Sequence, residues 1–250
     1  MMYRIVKVLN HNTFIGIRSK DKCKCLIMGK GIAFGRKVSE SISVGEDAKV
    51  YTLTELTERG SAEEIIRSVP PECLELAGEI LDHAEKVFGQ IDRSILFPMA
   101  DHLAFAVQRI RNQEQISNPL TEDIRILFHQ EYKVAKCAEQ LLRERLQVEI
   151  DEHEIGYIAL HVHAAIEDQK VSQAMQLTRA VRDCISLVEK QTGTTIDVMS
   201  LSYNRLMNHI RYMVARALSG EKLKVNMNDY ISIRFPKAFD MASQVCGEMM

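Results

Sequence analysis

The chain has 250 residues, 46% hydrophobic and 26% charged, with a net charge of −2, the make-up of a water-soluble globular protein with room for two or three small domains. The opening MMYRIVKVLN has no signal-peptide pattern and no apolar run is long enough to cross a membrane, so a cytoplasmic location without membrane insertion is expected. The six cysteines (Cys23, Cys25, Cys73, Cys137, Cys184 and Cys246) are too scattered for a zinc module, and a chain of this size needs no disulfide framework.

Residues 1–55 hold ten Lys/Arg against five Asp/Glu, a balance of +5 that leaves −7 for the remainder. A basic module on an acidic body points to an anionic partner for the first part, with a solvated basic face as the commoner alternative. Within it RIVKVL, TFIGIR, KCKCLIM, KVSESISV and KVYTL are short apolar or alternating runs between polar, Gly-bearing turns, the pattern of an antiparallel sheet. Cys23 and Cys25, two apart, are expected on one face of a strand. Some fifty residues of sheet bury little apolar area, so the module should need a partner surface and should dimerise.

After Thr54 the texture becomes helical. Ser61 with Glu64 spells a capping box ahead of IIRSV, and Pro70-Pro71 opens a longer helix that Gly89 can close. PMADHLAFAVQRI, YKVAKCAEQLLRERL, EIGYIALHVHAAI, QAMQLTRAVRDCISLVEKQ and LSYNRLMNHIRYMVARAL then keep the 3.6-residue period. This part repeats. HLAFAVQR at His102 and HIRYMVAR at His209 both read His-x-x-aromatic-x-Val-x-Arg, and at the same offset of 107 residues Phe128, Tyr132 and Ala135 match Phe235, Phe239 and Ala242. Two ungapped blocks at one offset indicate a duplicated helical domain, with the boundary near residues 167–172. The counterpart of His161 would fall beyond Met250, so the second copy is expected to be cut short and to lack its last helix.

Four features could carry chemistry. Asn10-His11-Asn12 sits at a turn, followed by Gly29-Lys30-Gly31 and Phe34-Gly35-Arg36-Lys37. Asn amides can read base edges, glycines admit close backbone approach, Phe34 offers a stacking face, and Lys7, Lys30, Arg36 and Lys37 could meet phosphates. Two ordinary hairpin turns with Phe34 in a small core fit the same residues. The other three features are His102, His161 and His209. A histidine on an apolar helix face is more often a satisfied core residue, but the shared position of His102 and His209 raises the odds of a role. His161 and His163, two apart on a helix, cannot face one site. His153-Glu154 lacks the second histidine of a zinc-protease helix, and no nucleophile elbow, dinucleotide fingerprint or kinase set occurs. No catalysis and no cofactor are therefore read from the chain. A metal-dependent helical enzyme built from Asp101, His102, Glu154 and His161 is the competing reading, and it leaves the basic module unexplained. A DNA-binding regulator lacks a helix-turn-helix in the basic segment.

In combination KVLNHNTFI, IMGKGIAFGRK, FPMADHLAFAVQR, NPL, FHQEYKVAKCAEQLL, DEHEIGYIALHVHAA, LSYNRLMNHIRYMVAR and FPKAFDMASQV resemble the BglG/LicT/SacY-type transcriptional antiterminators over nearly the whole chain, and GKGIAFGRK with HVHAA is nearest their glucose-type branch. The resemblance implies a multidomain chain. A small antiparallel β RNA-binding domain at 1–55 (the co-antiterminator domain) and a linker at 56–64 precede two all-α helical-bundle regulatory domains of the sugar phosphotransferase system (PTS). These fall at 65–170 and at 171–250, the second C-terminally incomplete. It implies a homodimer that stabilises an RNA hairpin overlapping a terminator through Asn10, Asn12, Gly29, Lys30, Gly31, Phe34 and Arg36. Lys30 stands where many members have Arg, and His11 where an Asn triplet is common. It also implies phosphorylation at His102, His161 and His209 by a sugar permease (enzyme II) and HPr, with dimerisation as the controlled step. His163 and His129 do not match phosphorylated positions of the family.

Overall fold

The computed structural model of this chain describes every residue except 46, 55, 58, 59, 115, 169, 198, 199, 222–225 and 250. Its residues fall into two units, 1–117 with 130–170, and 118–129 with 171–250.

In the first unit the alternating runs become β1 (Met2–Val8), β2 (Thr13–Arg18), β3 (Lys24–Met28), β4 (Ser41–Ser43) and β5 (Lys49–Thr52), paired antiparallel in the order β4-β1-β2-β3-β5. The register sets Phe14 against Ile27 and Gly16 against Cys25, with Thr13 against Met28 and Ile15 against Leu26, so alternate residues sort onto two faces. One face carries Tyr3, Ile5, Phe14, Cys25 and Ile27, covered by Ala33, Ile42 and Val44 where the chain folds back. Cys23, one residue ahead of β3, packs on this cluster beside Cys25, and both are free thiols.

The opposite face is also buried. Thr13, Ile15, Leu26, Met28 and Tyr51 all lie out of solvent, and their cover is helical. β6 (Leu56–Thr57) and β7 (Gly60–Ser61) make a two-residue ribbon, within the segment expected as a linker, whose residues 58 and 59 lie outside the described residues. Next comes α1 (Ala62–Ser68), whose capping box is formed: Ser61 Oγ accepts from Glu64 N and Glu64 Oε2 from Ser61 N. α2 (Pro71–Phe88) starts with Pro71 at its first position, where a missing N–H costs nothing, and ends at Gly89 with φ of 83°. Gly78 marks where α2 faces the sheet: a β-carbon there would lie 3.5 Å from Met28 Cε, an ordinary contact distance. At the other end of this contact the rings of Tyr51 and Phe97 meet edge to face at 6.1 Å. Arg93 donates to Asp82 at 2.6 Å, Glu85 at 2.5 Å and Tyr51 Oη at 3.4 Å, while Lys49 pairs with Asp82 at 2.8 Å. The surface that so small a sheet needs is thus supplied by the chain's own helices.

α3 (Leu96–Arg111) packs on α2, as do α6 (Cys137–Leu146) and α7 (Glu152–Glu167). α4 (Thr121–Leu127) belongs to the second unit, and α5 (His129–Ala135) leads into α6. In the second unit α8 (Val171–Thr192) packs on α4, α9 (Leu201–Ser219) and α11 (Pro236–Met249), and α10 (Asn228–Arg234) packs on α11. Ala174, Leu177, Val181, Cys184 and Ile185 are buried on α8, and Tyr203, Met207, Ile210 and Val214 on α9, the stripe spacing of amphipathic helices. The duplication is visible in the element boundaries. α4 and α10 start and stop 107 residues apart, each capped by a phenylalanine, Phe128 and Phe235. Phe128 is fully buried whereas Phe235 is 55% exposed, and Tyr230 and Ile233 beside it are exposed too. Among the described residues no helix is long and apolar enough to cross a membrane.

A β-carbon at Gly78 would meet its neighbours at ordinary contact distances. Gly78→Ala should therefore raise stability by about 0.5–1 kcal/mol through helix propensity alone, read as a higher melting temperature. Gly78→Leu overfills the contact and should cost about 1–3 kcal/mol.

Candidate nucleic-acid interface and histidine cluster

The structure brings the two loop motifs together at one end of the sheet. Asn12 is the pin: its backbone carbonyl accepts from Gly29 N at 2.9 Å and its Oδ1 from Gly31 N at 2.8 Å, while His11 O accepts from Ala33 N at 3.0 Å. Asn10 Oδ1 accepts from Asn12 N at 2.9 Å, an Asx turn that shapes the first loop. Gly31 and Gly35 adopt φ of 67° and 68°, the left-handed region that a side chain would strain. The backbone so ordered puts Ala33 into the core and sends Phe34 outward, 69% exposed, with the His11 ring edge to face with it at 5.2 Å. The reading of Phe34 as a small-core residue is therefore set aside. Lys30, Gly31 and Arg36 are exposed on the same loop, and Asn10, Asn12 and Gly29 are half-buried. Sequence reasoning did not foresee that Asn10 Nδ2 donates to Glu75 Oε1 of α2 at 2.8 Å, or that Asn12 Nδ2 reaches Glu75 Oε2 at 3.5 Å.

The second constellation lies between α3 and α7. The rings of His102 and His161 stand 5.2 Å apart, and Tyr157 lies 5.5 Å from His102. Glu154, 3% exposed, joins them to Arg109: its Oε1 accepts from Arg109 Nη2 at 2.6 Å. Its Oε2 lies 3.2 Å from His102 Nε2, at ion-pair distance but out of line for a hydrogen bond. Burial raises the Glu154 pKa, but His102 and Arg109 outweigh that and hold the carboxyl below its ordinary value. His161 Nδ1 contacts Tyr157 O at 2.8 Å. A carbonyl can only accept, so Nδ1 carries a proton, and in the neutral form of the ring the lone pair is on Nε2. The α7 geometry follows from Asp151, which caps the helix by accepting from His153 N and Glu154 N, both at 3.0 Å.

His163 points elsewhere, to Glu131 at 2.9 Å, as the two-residue spacing required, and His129 is exposed. His209 lies on α9 of the second unit, exposed with Arg216 two turns on. Among the described residues no group of three His, Cys, Asp or Glu side chains is placed to hold a metal ion. Sequence reasoning named Glu154 only as one acid among several. The signal for its place was the seven-residue spacing, which stacks His102 with Arg109 on α3 and Glu154 with His161 on α7.

Glu154 is depressed in the folded state, so its contribution is complete above about pH 4.5 and is lost as pH falls through the lower native value. Glu154→Gln should cost about 1–3 kcal/mol at neutral pH. Its melting temperature should then fall less steeply than that of the unmodified chain in acid; parallel profiles would show that the carboxylate is not coupled to His102 and Arg109.

Comparison with known proteins identifies the domains that carry these residues. The CAT RNA binding domain family matches residues 3–59, and the PRD domain family matches residues 78–165 and again 182–250. The chain is 26% identical to the GlcA/glcB genes antiterminator of Staphylococcus carnosus, over 99% of this chain and 88% of that one. It is 24% identical to the transcription antiterminator LicT of Bacillus subtilis, over 97% and 88%, and 25% identical to the beta-glucoside operon antiterminator of Dickeya chrysanthemi, over 99% and 88%. A solved structure titled as the crystal structure of GlcT CAT-PRDI superposes with a TM-score of 0.56 at 26% identity, covering 66% of this chain and 99% of that one. The chain belongs to the PRD domain family, with two copies of that domain behind a CAT RNA binding domain.

Proposed function

We propose that this chain is an RNA-binding transcriptional antiterminator: it holds a hairpin that overlaps a terminator, and histidine phosphorylation sets its activity. The observation that carries the reading is Phe34, held 69% exposed above two loops that are pinned to each other through Asn12. An aromatic ring kept in water by ordered backbone is a platform on which an unpaired base can stack. Gly29 and Gly31 admit the RNA backbone, Lys30 and Arg36 meet phosphates, and the Asn10 and Asn12 amides read polar edges. Residues 1–55 act as the RNA module of a homodimer whose formation histidine phosphorylation controls, and residues 56–64 link them to regulatory domains at 65–170 and 171–250.

His102, His161 and His209 take the phosphoryl group. The phosphorylated donor side chain, on a sugar permease enzyme II or on HPr, loses its bond to phosphorus as an N–P bond forms at the acceptor imidazole, and Nε2 is the lone-pair nitrogen of neutral His161. His102 and His161 are both largely covered, so transfer requires α3 and α7 to part. A phosphoryl group there adds close to two negative charges beside the buried Glu154 carboxylate, which repels it, and beside Arg109, which it can take over. The GlcA/glcB genes antiterminator and the beta-glucoside operon antiterminator among its relatives support a sugar-utilisation operon, with the glucose-type branch favoured, and a cytoplasmic site of action.

The test is a salt titration of the full chain with an RNA stem-loop selected by that chain from a random-loop pool, against scrambled RNA and duplex DNA. Stem-loop binding should persist at physiological salt, and Phe34→Ala should weaken it by about 1–3 kcal/mol, roughly one to two orders of magnitude. Weak binding to every polyanion, unaffected by Phe34→Ala and abolished by modest salt, would reduce the basic module to a solvated face.

A further inference from the structure

The loop amides assigned to RNA are already occupied in this structure, and the occupant is a carboxylate of the regulatory helix α2. Glu75 accepts from Asn10 Nδ2 at 2.8 Å, and Asn12 Nδ2 and Thr13 Oγ1 both approach it at 3.5 Å. Arg145 of α6 holds the carboxylate from behind at 3.2 Å and also bonds Glu79. Glu75, Glu79, Asp82 and Glu85 stand at successive turns of one face of α2. That face runs along the sheet: Lys49 of β5 pairs with Asp82 at 2.8 Å and lies 3.8 Å from Glu85. A stripe of anionic oxygens spaced along a rod is what a nucleic-acid backbone also presents to a basic surface.

We infer that this face of α2 is an intramolecular competitor for RNA, with Glu75 occupying the Asn10 and Asn12 amides in a closed state that binding must open. The inference rests on the RNA reading above. Two physical effects act together. An amide already bonded to a carboxylate must give up a charge-assisted bond before it can serve a base or phosphate. The acidic stripe beside Lys30 also repels an incoming phosphate chain. Between sheet and helix lies a cavity of about 480 Å³ that Asn12, Lys30, Lys49, Glu75 and Arg145 help to line. The contact at this end is therefore loosely filled, with amide and charged groups standing beside Met28, Gly78 and Tyr51. α2 also packs on α3 and α7, which carry His102 and His161, so the helix that closes the RNA loops touches both walls of the histidine cluster.

The experiment compares the full chain with its Glu75→Ala and Lys49→Ala forms, using one fluorescent RNA stem-loop selected by the unmodified chain from a random-loop pool. Both substitutions remove bonds across the seam, one from each side. Each should tighten RNA binding about tenfold, equivalent to about 1.4 kcal/mol, and should speed amide hydrogen exchange at residues 10–13. Lys49→Ala separates this from simple charge attraction, because deleting a cation near RNA would otherwise weaken binding. If Glu75→Ala fails to fold cooperatively, Lys49→Ala alone decides. RNA binding that is unchanged or weaker overturns the inference and leaves the RNA reading standing. If the unmodified chain selects no stem-loop, the selection is repeated with the Glu75→Ala and Lys49→Ala chains, and no binder for any of the three overturns both.

Discussion

A five-stranded sheet of about fifty residues has two apolar faces and chain enough to cover one. In this protein the segment carrying Ala33, Ile42 and Val44 covers the first, and α2 and α3 cover the second. Much else follows from that constraint. It explains why β2 and β3 are buried continuously rather than alternately. It also places the charged side chains of α2 against the basic module. Where the contact is apolar, at Met28, Tyr51 and Phe97, it joins the two parts. Where it is polar, at Glu75 and the Asn10–Asn12 loop, it touches the residues that the proposed function needs.

The electrostatics of the first unit have a common theme: carboxylates under partial or full burial, each held ionised by a neighbouring cation. Asp82 is penalised by burial yet lies below its ordinary pKa because Lys49 and Arg93 flank it. Glu154 behaves likewise between His102 and Arg109. Such pairs contribute little net stability, since desolvation offsets most of the attraction. They are sensitive to any added charge, and a phosphoryl group is a large one. The histidine cluster thus combines two imidazole rings, a carboxylate that opposes new negative charge and a guanidinium able to change partners. In the proposed function these serve as a local charge switch.

The two copies of the helical repeat share sequence but not surroundings. α4 and α10 correspond residue for residue, yet Ile124 and Phe128 are buried while Ile231 and Phe235 are exposed. His102 lies under α7 beside His161, whereas His209 is exposed on α9. Equivalent positions in a duplicated domain therefore meet different physical conditions, and a phosphoryl donor would find His209 in the open and His102 behind a cover.

The sequence by itself determined the elements. Period-two alternation marked the strands, Ser61 with Glu64, Pro71 and Gly89 marked the helix ends, and the 107-residue offset marked the duplication, because all of these are local or self-similar signals. It also singled out the residues of both candidate sites, since Asn, Gly, Lys and Phe in short turns and histidines at matched positions are unusual enough to notice. Only the tertiary structure decided what those residues touch. No local rule pairs Asn10 with Glu75, 65 residues away, or selects Glu154 among the acids to stand between His102 and Arg109. Likewise, whether Phe34 enters a core or faces water depended on where the Asn12 carbonyl and amide pinned the second loop. Contacts of that kind arise from helix packing and loop closure across the chain, and one-dimensional patterns carry no record of the partner.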